Sequence, residues 1–202
     1  WITTKLTTWL PIDLFDQTVG EWSRNDLAGK DCFVGMDLSS TTDLTALCAL
    51  FPPQGDQLEW RAIWDTFIPA DNMVERVRVD KVPYDQWEKA GYITATPGNV
   101  VDYTEVKKRI VLWNDLYHVR EVPSDRAFAA MLLQELEKEH ITCVDVPQTF
   151  AVMTGPINLI ETLLKQGKLT HENNPVARWT FGNASIAKNG NEQIKFVKEH
   201  KG

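Results

Sequence analysis

Cysteine is scarce in this chain: Cys32, Cys48 and Cys143 are its three, widely spaced, with no CxxC pair and no histidine cluster beside them. That excludes zinc-ribbon sites and disulfide scaffolds and leaves the three as small core residues of a reducing compartment. No apolar run approaches the ~20 residues needed to span a bilayer, and no signal peptide opens the chain. A soluble protein of the cytoplasm is therefore expected. GxGxxG, GxxxxGK[ST] and GxSxG are missing too, which removes dinucleotide, P-loop and nucleophile-elbow sites. Excess positive charge is also lacking: the formal net charge is -7, which argues against a general polyanion binder. Its distribution is uneven, with 7 basic and 3 acidic residues from Lys165 to Gly202 against 14 basic and 25 acidic before them. An acidic body with a basic C-terminal stretch suits a site that holds cations and meets a polyanion nearby, or simply ends in a solvated tail.

What is present is enough for one compact domain. The 202 residues are 43% hydrophobic and can bury a core without staples. Residues 1–30 have no sustained period, but Trp1, Trp9, Leu10, Leu14, Phe15 and Trp22 predict an irregular arm packed on the domain. The chain opens abruptly, as a fragment of a longer polypeptide would. Apolar runs at Cys32–Leu38, Leu44–Phe51 and Leu58–Ile68, parted by turn residues, predict an antiparallel three-strand meander. A short helix follows at Met73–Val79 with Asp71 as its cap, then a helical segment at Pro83–Trp87 and a turn at Thr96–Asn99. Val106, Ile110, Trp113 and Tyr117 share one helical face. Val119–Pro123 reads as a strand. Arg126–His140 reads as a helix with Phe128, Met131, Leu132 and Leu136 inward, and Ile141–Val146 as a further strand. A helix at Ile157–Gln166 ends at Gly167. The remainder, from Trp179–Phe181 to Gln193–Val197, predicts a hairpin around Asn189-Gly190. This order gives an α/β fold: a mixed sheet, the meander plus parallel strands, with helices on both faces.

Two acids stand out. Asp37 ends a buried apolar strand, where a carboxylate needs a cation or donors, although strand-end acids also form turns. Asp125 ends the fourth strand and opens a helix, so a helix cap explains it about as well. Together they are more informative. Strands one and four should lie side by side and parallel, placing both carboxylates at the C-terminal sheet edge where open α/β sheets bind ligands. Carboxylates brought together repel unless a divalent cation joins them, and hard oxygen ligands favour Mg²⁺ or Mn²⁺. Two such ions about 4 Å apart can activate water and stabilise the leaving oxygen of a phosphodiester. Asp43 reads as a turn former or an outer acid of the same edge. Lys195 and Lys198 read as phosphate contacts or ordinary edge lysines, and His171 as a satisfied structural histidine.

The stretch Gly35-Met36-Asp37-Leu38-Ser39-Ser40-Thr41-Thr42-Asp43-Leu44-Thr45-Ala46-Leu47 resembles the first-strand signature of the C-terminal nuclease domain of tailed-phage large terminase subunits, HK97-like branch. Pro83–Trp87, Gly91–Tyr103, Asp125-Arg126, Gln148, Met153, His171-Glu172-Asn173-Asn174-Pro175 and Asn183 agree in order, as does the tryptophan-rich arm. The resemblance covers nearly the whole chain. It implies an RNase H-like fold and a metal-dependent endonuclease that cuts concatemeric viral DNA during packaging by a two-metal hydrolytic mechanism. Asp37 and Asp125 match the family's first two metal-binding acids. The third acid is expected beyond residue 202, which predicts weak metal binding here. The resemblance further implies that residues 1–30 form the arm from an absent ATPase domain and 31–202 a nuclease domain cut short at its C-terminus. Double-stranded DNA, the portal and the small terminase subunit would be partners, in the host cytoplasm, with oligomers only in the full motor. Two other readings stand beside it. One is an RNase H-like docking module without chemistry, contacting portal or capsid. The other is an actin-like ATPase fragment, weakened because Ser39 stands where a phosphate loop needs glycine.

Overall fold

The computed structural model describes residues 6–39 and 44–197. In chain order its elements are β1 (Leu6–Thr8), α1 (Ile12–Asp16), a 3₁₀ turn (Arg24–Leu27), β2 (Asp31–Asp37), β3 (Thr45–Phe51), β4 (Trp60–Pro69), α2 (Ala70–Asp80), α3 (Tyr84–Lys89), β5 (Ile93–Thr96), α4 (Tyr103–Leu116), β6 (His118–Ser124), α5 (Arg126–Lys138), β7 (Cys143–Asp145), α6 (Phe150–Lys165), β8 (Leu169–His171), α7 (Pro175–Gly182), β9 (Ser185–Lys188) and β10 (Ile194–Val197).

The meander forms as its apolar runs dictate, β2 with β3 and β3 with β4, both antiparallel. The main sheet runs β5-β4-β3-β2-β6-β7, with β8 also on β4. Strands β2 and β6 are parallel neighbours, as the βαβ part of the pattern requires. Alternation along β3 sends Leu47, Ala49 and Phe51 into one core with Val106, Ile110, Trp113, Leu132 and Leu136. Cys48 and Leu50 face a second core with Ile160, Leu163 and Leu164. Helices α4 and α5 thus cover one face and α6 the other, the period-2 geometry of a strand buried on both sides.

Several local expectations need correction. Strand β5 replaces what reads as the approach to a turn; it pairs in parallel with the end of β4, Thr66 opposite Ile93 through Pro69 opposite Thr96. Helix α2 begins before Asp71, which lies in its first turn while Pro69 holds the cap position. An acid there still opposes the positive helix end. Met131 is not inward: it is 82% exposed, while Leu132 and Leu136 are buried. Phe128 lies outside the described side chains. Helix α6 starts at Phe150, with the Thr149 side chain accepting from Val152 N, and runs through Pro156. The Gly155-Pro156 pair hides its first turns from a sequence reading. Residues Trp179–Phe181 are helical, in α7, not a hairpin strand. Asn174 caps this helix through Oδ1, accepting from Val176 N at 2.9 Å and Ala177 N at 3.1 Å, with Pro175 in the first turn. The expected hairpin is β9–β10. It belongs to a separate sheet with β1 and is pinned to α6 by Thr154, whose hydroxyl donates to Ile194 O and accepts from Ile194 N.

The arm packs on the domain, but it is not irregular, since it holds β1, α1 and the 3₁₀ turn; Trp1 lies outside the described residues. Leu10, Phe15 and Leu27 are buried, and Phe15 stacks on the His171 ring at 3.8 Å between centroids. The His171 ring nitrogens lie 2.8 Å from Phe15 O and from Glu172 O, so this histidine is structural. Arg24 ties the arm to the sheet. Its guanidinium donates to both Glu172 oxygens at 2.8 and 2.7 Å, to Asp65 at 3.1 Å and to Trp64 O at 2.7 Å. Arg109 from α4 meets the other oxygen of Asp65. Burial opposes the charge on Arg24, but Glu172 and Asp65 outweigh it and raise its pKa. The three cysteines are free thiols, and burial pushes Cys32 up to about 12, so it is inert at neutral pH.

Candidate active site

Asp37 is the last residue of β2, and Asp125 follows directly after β6. Parallel pairing sets Asp31 opposite His118 and Cys32 opposite Val119, then shifts so that Phe33 lies opposite Glu121. Carried forward along both strands, that register brings Asp37 level with Asp125. The irregularity matters, because a one-residue slip sends alternate side chains to opposite faces. Both acids line one small cleft of about 30 Å³, together with Met36, Leu38, Ser124, Ala129 and Gln148. Such a volume admits a cation or a water or two.

Asp37 is exposed at the strand tip, Asp125 is half-buried and Ser124 is buried. Gln148 reaches the cleft from the segment between β7 and α6. The polar side chains around the cleft therefore all offer oxygen: two carboxylates, a hydroxyl and an amide. Among the described residues, no group of three or more His, Cys, Asp or Glu side chains lies close enough to hold a metal ion. Asp43, Lys198 and residues 40–42 fall outside the described residues. Lys195 is within them, its ammonium 5.1 Å from the centre of the Phe150 ring.

Ser124 and Ala129 carry no chemistry that a sequence reading singles out. What marks Ser124 is burial beside two acids, which only the packed sheet reveals. A larger cavity, about 270 Å³, lies between the 3₁₀ turn and α4 and is lined by Arg24, Arg109, Trp113 and Tyr117. Its two guanidiniums are occupied by Asp65 and Glu172, so it is built as a structural ion-pair cluster. Ser39 N donates to Thr45 Oγ1 at 3.0 Å. Among the described residues, no helix is long and apolar enough to cross a membrane.

Comparison with known proteins agrees with this architecture. The large terminase subunit of Enterobacteria phage HK97 is 28% identical over 170 residues, covering 80% of this chain and 32% of that protein. Its crystal structure superposes with a TM-score of 0.84 at 25% identity, over 96% of this chain and 40% of the other. Protein YmfN of Escherichia coli K12 is 25% identical over 182 residues, 85% of this chain and 39% of YmfN. The large terminase nuclease of thermophilic phage G20c with bound magnesium shares the fold, with a TM-score of 0.58 at 12% identity over 97% of this chain and 89% of that one. The chain thus spans well under half the length of the curated relatives it matches, and its fold is the RNase H-like one of terminase nucleases. A family model described as "Terminase large subunit, endonuclease domain" matches residues 1–202, and the chain belongs to that family.

Proposed function

We propose that this chain is a divalent-cation-dependent endodeoxyribonuclease that cuts viral DNA during genome packaging, with Asp37 and Asp125 as its metal-holding acids. One observation carries the reading: two carboxylates far apart in sequence line the same cleft at the C-terminal ends of adjacent parallel strands. Family membership and the likeness to the magnesium-bound G20c nuclease support it.

The donor set fits a hard divalent cation. Oxygen groups alone suit Mg²⁺ or Mn²⁺, and without a cation two carboxylates in one cleft would repel both each other and an incoming phosphate. A cation bound there would supply Lewis-acid stabilisation of phosphate charge and activation of water. The chain's own residues do the rest. Asp37, at the open tip, would hold the ion on the side from which DNA arrives, and Asp125 would fix it from the neighbouring strand. Met36, Leu38 and Ala129 form the apolar part of the wall, which lowers the local dielectric and strengthens the carboxylate–cation attraction. A two-ion form of the mechanism needs ligands beyond this pair. The portal and small terminase subunit are the proposed partners in the packaging motor, and the host cytoplasm its place of work. The proposed division of the chain is an arm over residues 1–30 and a nuclease domain over 31–202.

The test is metal dependence on supercoiled plasmid. Nicking with Mn²⁺ or Mg²⁺ should vanish with EDTA and return when the cation is added in excess. Nicking that survives chelation contradicts the reading, and no nicking with either ion would leave the docking module as the better account.

A further inference from the structure

We propose that Ser124 is a positioning residue of this site, its hydroxyl holding a water from the hydration shell of the cation bound by Asp37 and Asp125. The inference rests on the metal-dependent reading above and deepens it.

Ser124 is the last residue of β6 and is only 6% exposed. Its backbone carbonyl is used by the sheet edge, accepting from Val146 N at 2.9 Å. Its side-chain oxygen, in contrast, is buried and has no hydrogen-bond partner among the described residues. A hydroxyl in that state gives up hydration and gains nothing in return. Serine is also a poor strand former next to valine or threonine. Neither packing nor strand propensity therefore explains a hydroxyl at this position. The cleft does, since Ser124 lines it together with the two acids and Gln148.

A small divalent ion loses its water reluctantly and keeps several water ligands when only one or two carboxylates hold it. Those waters need polar partners, typically two to four each. Three of the cleft's lining residues, Met36, Leu38 and Ala129, offer no good acceptor or donor. The Ser124 hydroxyl can both accept and donate, so it can orient a water on the floor of the cleft while the carboxylates hold the ion. Among the described residues this group has no partner, and a water held by the cation would supply one.

The test compares wild type with Ser124→Ala by calorimetric Mn²⁺ titration and by thermal melting, each with and without Mn²⁺. The melting temperature of the metal-free variant should equal or exceed that of wild type, because alanine removes an unsatisfied buried hydroxyl. Its Mn²⁺ affinity should fall about tenfold, the usual loss when an outer partner of a metal site is removed. Opposite signs in these two readouts are what a merely structural serine would not produce. A lower metal-free melting temperature, or unchanged Mn²⁺ affinity, would overturn the role assigned to Ser124. If wild type itself bound no Mn²⁺, or if Asp37→Asn left binding intact, the underlying metal-site reading would fail instead.

Discussion

Replacing Asp37 with asparagine is expected to lower cation-dependent DNA cleavage by about 10³-fold or more while leaving the fold intact. Asparagine keeps the size and one oxygen of the side chain but removes the negative charge that would hold the ion. Lewis-acid stabilisation of a phosphoryl centre is worth several kcal/mol, and about 4 kcal/mol corresponds to roughly three decades in rate. Stability should change little, within about 0.5 kcal/mol, because Asp37 sits exposed at a strand tip outside the hydrophobic clusters. Plasmid nicking with Mn²⁺ gives the first number and urea unfolding the second. Cleavage within tenfold of wild type would remove Asp37 from the reaction. Lost cleavage with lost folding would mean that the acid supports the strand end and not the chemistry.

The second large effect concerns stability. Glu172→Ala should cost about 3 kcal/mol, lowering the melting temperature by roughly 8 °C for a domain of this size. Glu172 accepts both fork bonds of Arg24 and also the Trp64 backbone N–H at 2.8 Å. Its loss leaves a guanidinium and a strand-edge amide short of partners, which costs more than the pair itself was worth. Arg24 keeps Asp65 and Trp64 O and is partly exposed, so the loss should stop short of that for a fully buried pair. Amide exchange should rise first at residues 18–27, where Gly20 N and Arg24 hold the arm to β8 and β4. A loss under about 1 kcal/mol would show that apolar burial of Phe15 and Leu27 holds the arm without the ion pair.

Glu172 also illustrates how far the sequence could be read. His171-Glu172-Asn173-Asn174-Pro175 is distinctive enough to signal kinship, yet its residues serve the fold. His171 stacks on the arm, Glu172 clamps Arg24, and Asn174-Pro175 starts α7. The meander and the α4 and α5 helices were legible because each follows a clear apolar period, 2 or 3.6. Strand β5 was not, because its four residues lie between Gly91 and Pro97, and a segment that short reads as loop until a neighbouring strand claims its amides. Met131 points outward although it lies next to the buried Leu132 on α5, because one helical position is a rotation of 100°. That Asp37 and Asp125 line one cleft was legible from topology, since both follow apolar strands that lie side by side and parallel. Ser124 was not, because a serine before a helix start is ordinary. Only burial without a hydrogen-bond partner among the described residues sets it apart.

Anomalous diffraction from crystals of this chain soaked in Mn²⁺ tests the central claim most directly. The account predicts a peak in the cleft within coordination distance, about 2.0–2.4 Å, of carboxylate oxygens from both Asp37 and Asp125. Strong manganese peaks elsewhere with none touching both acids would contradict it.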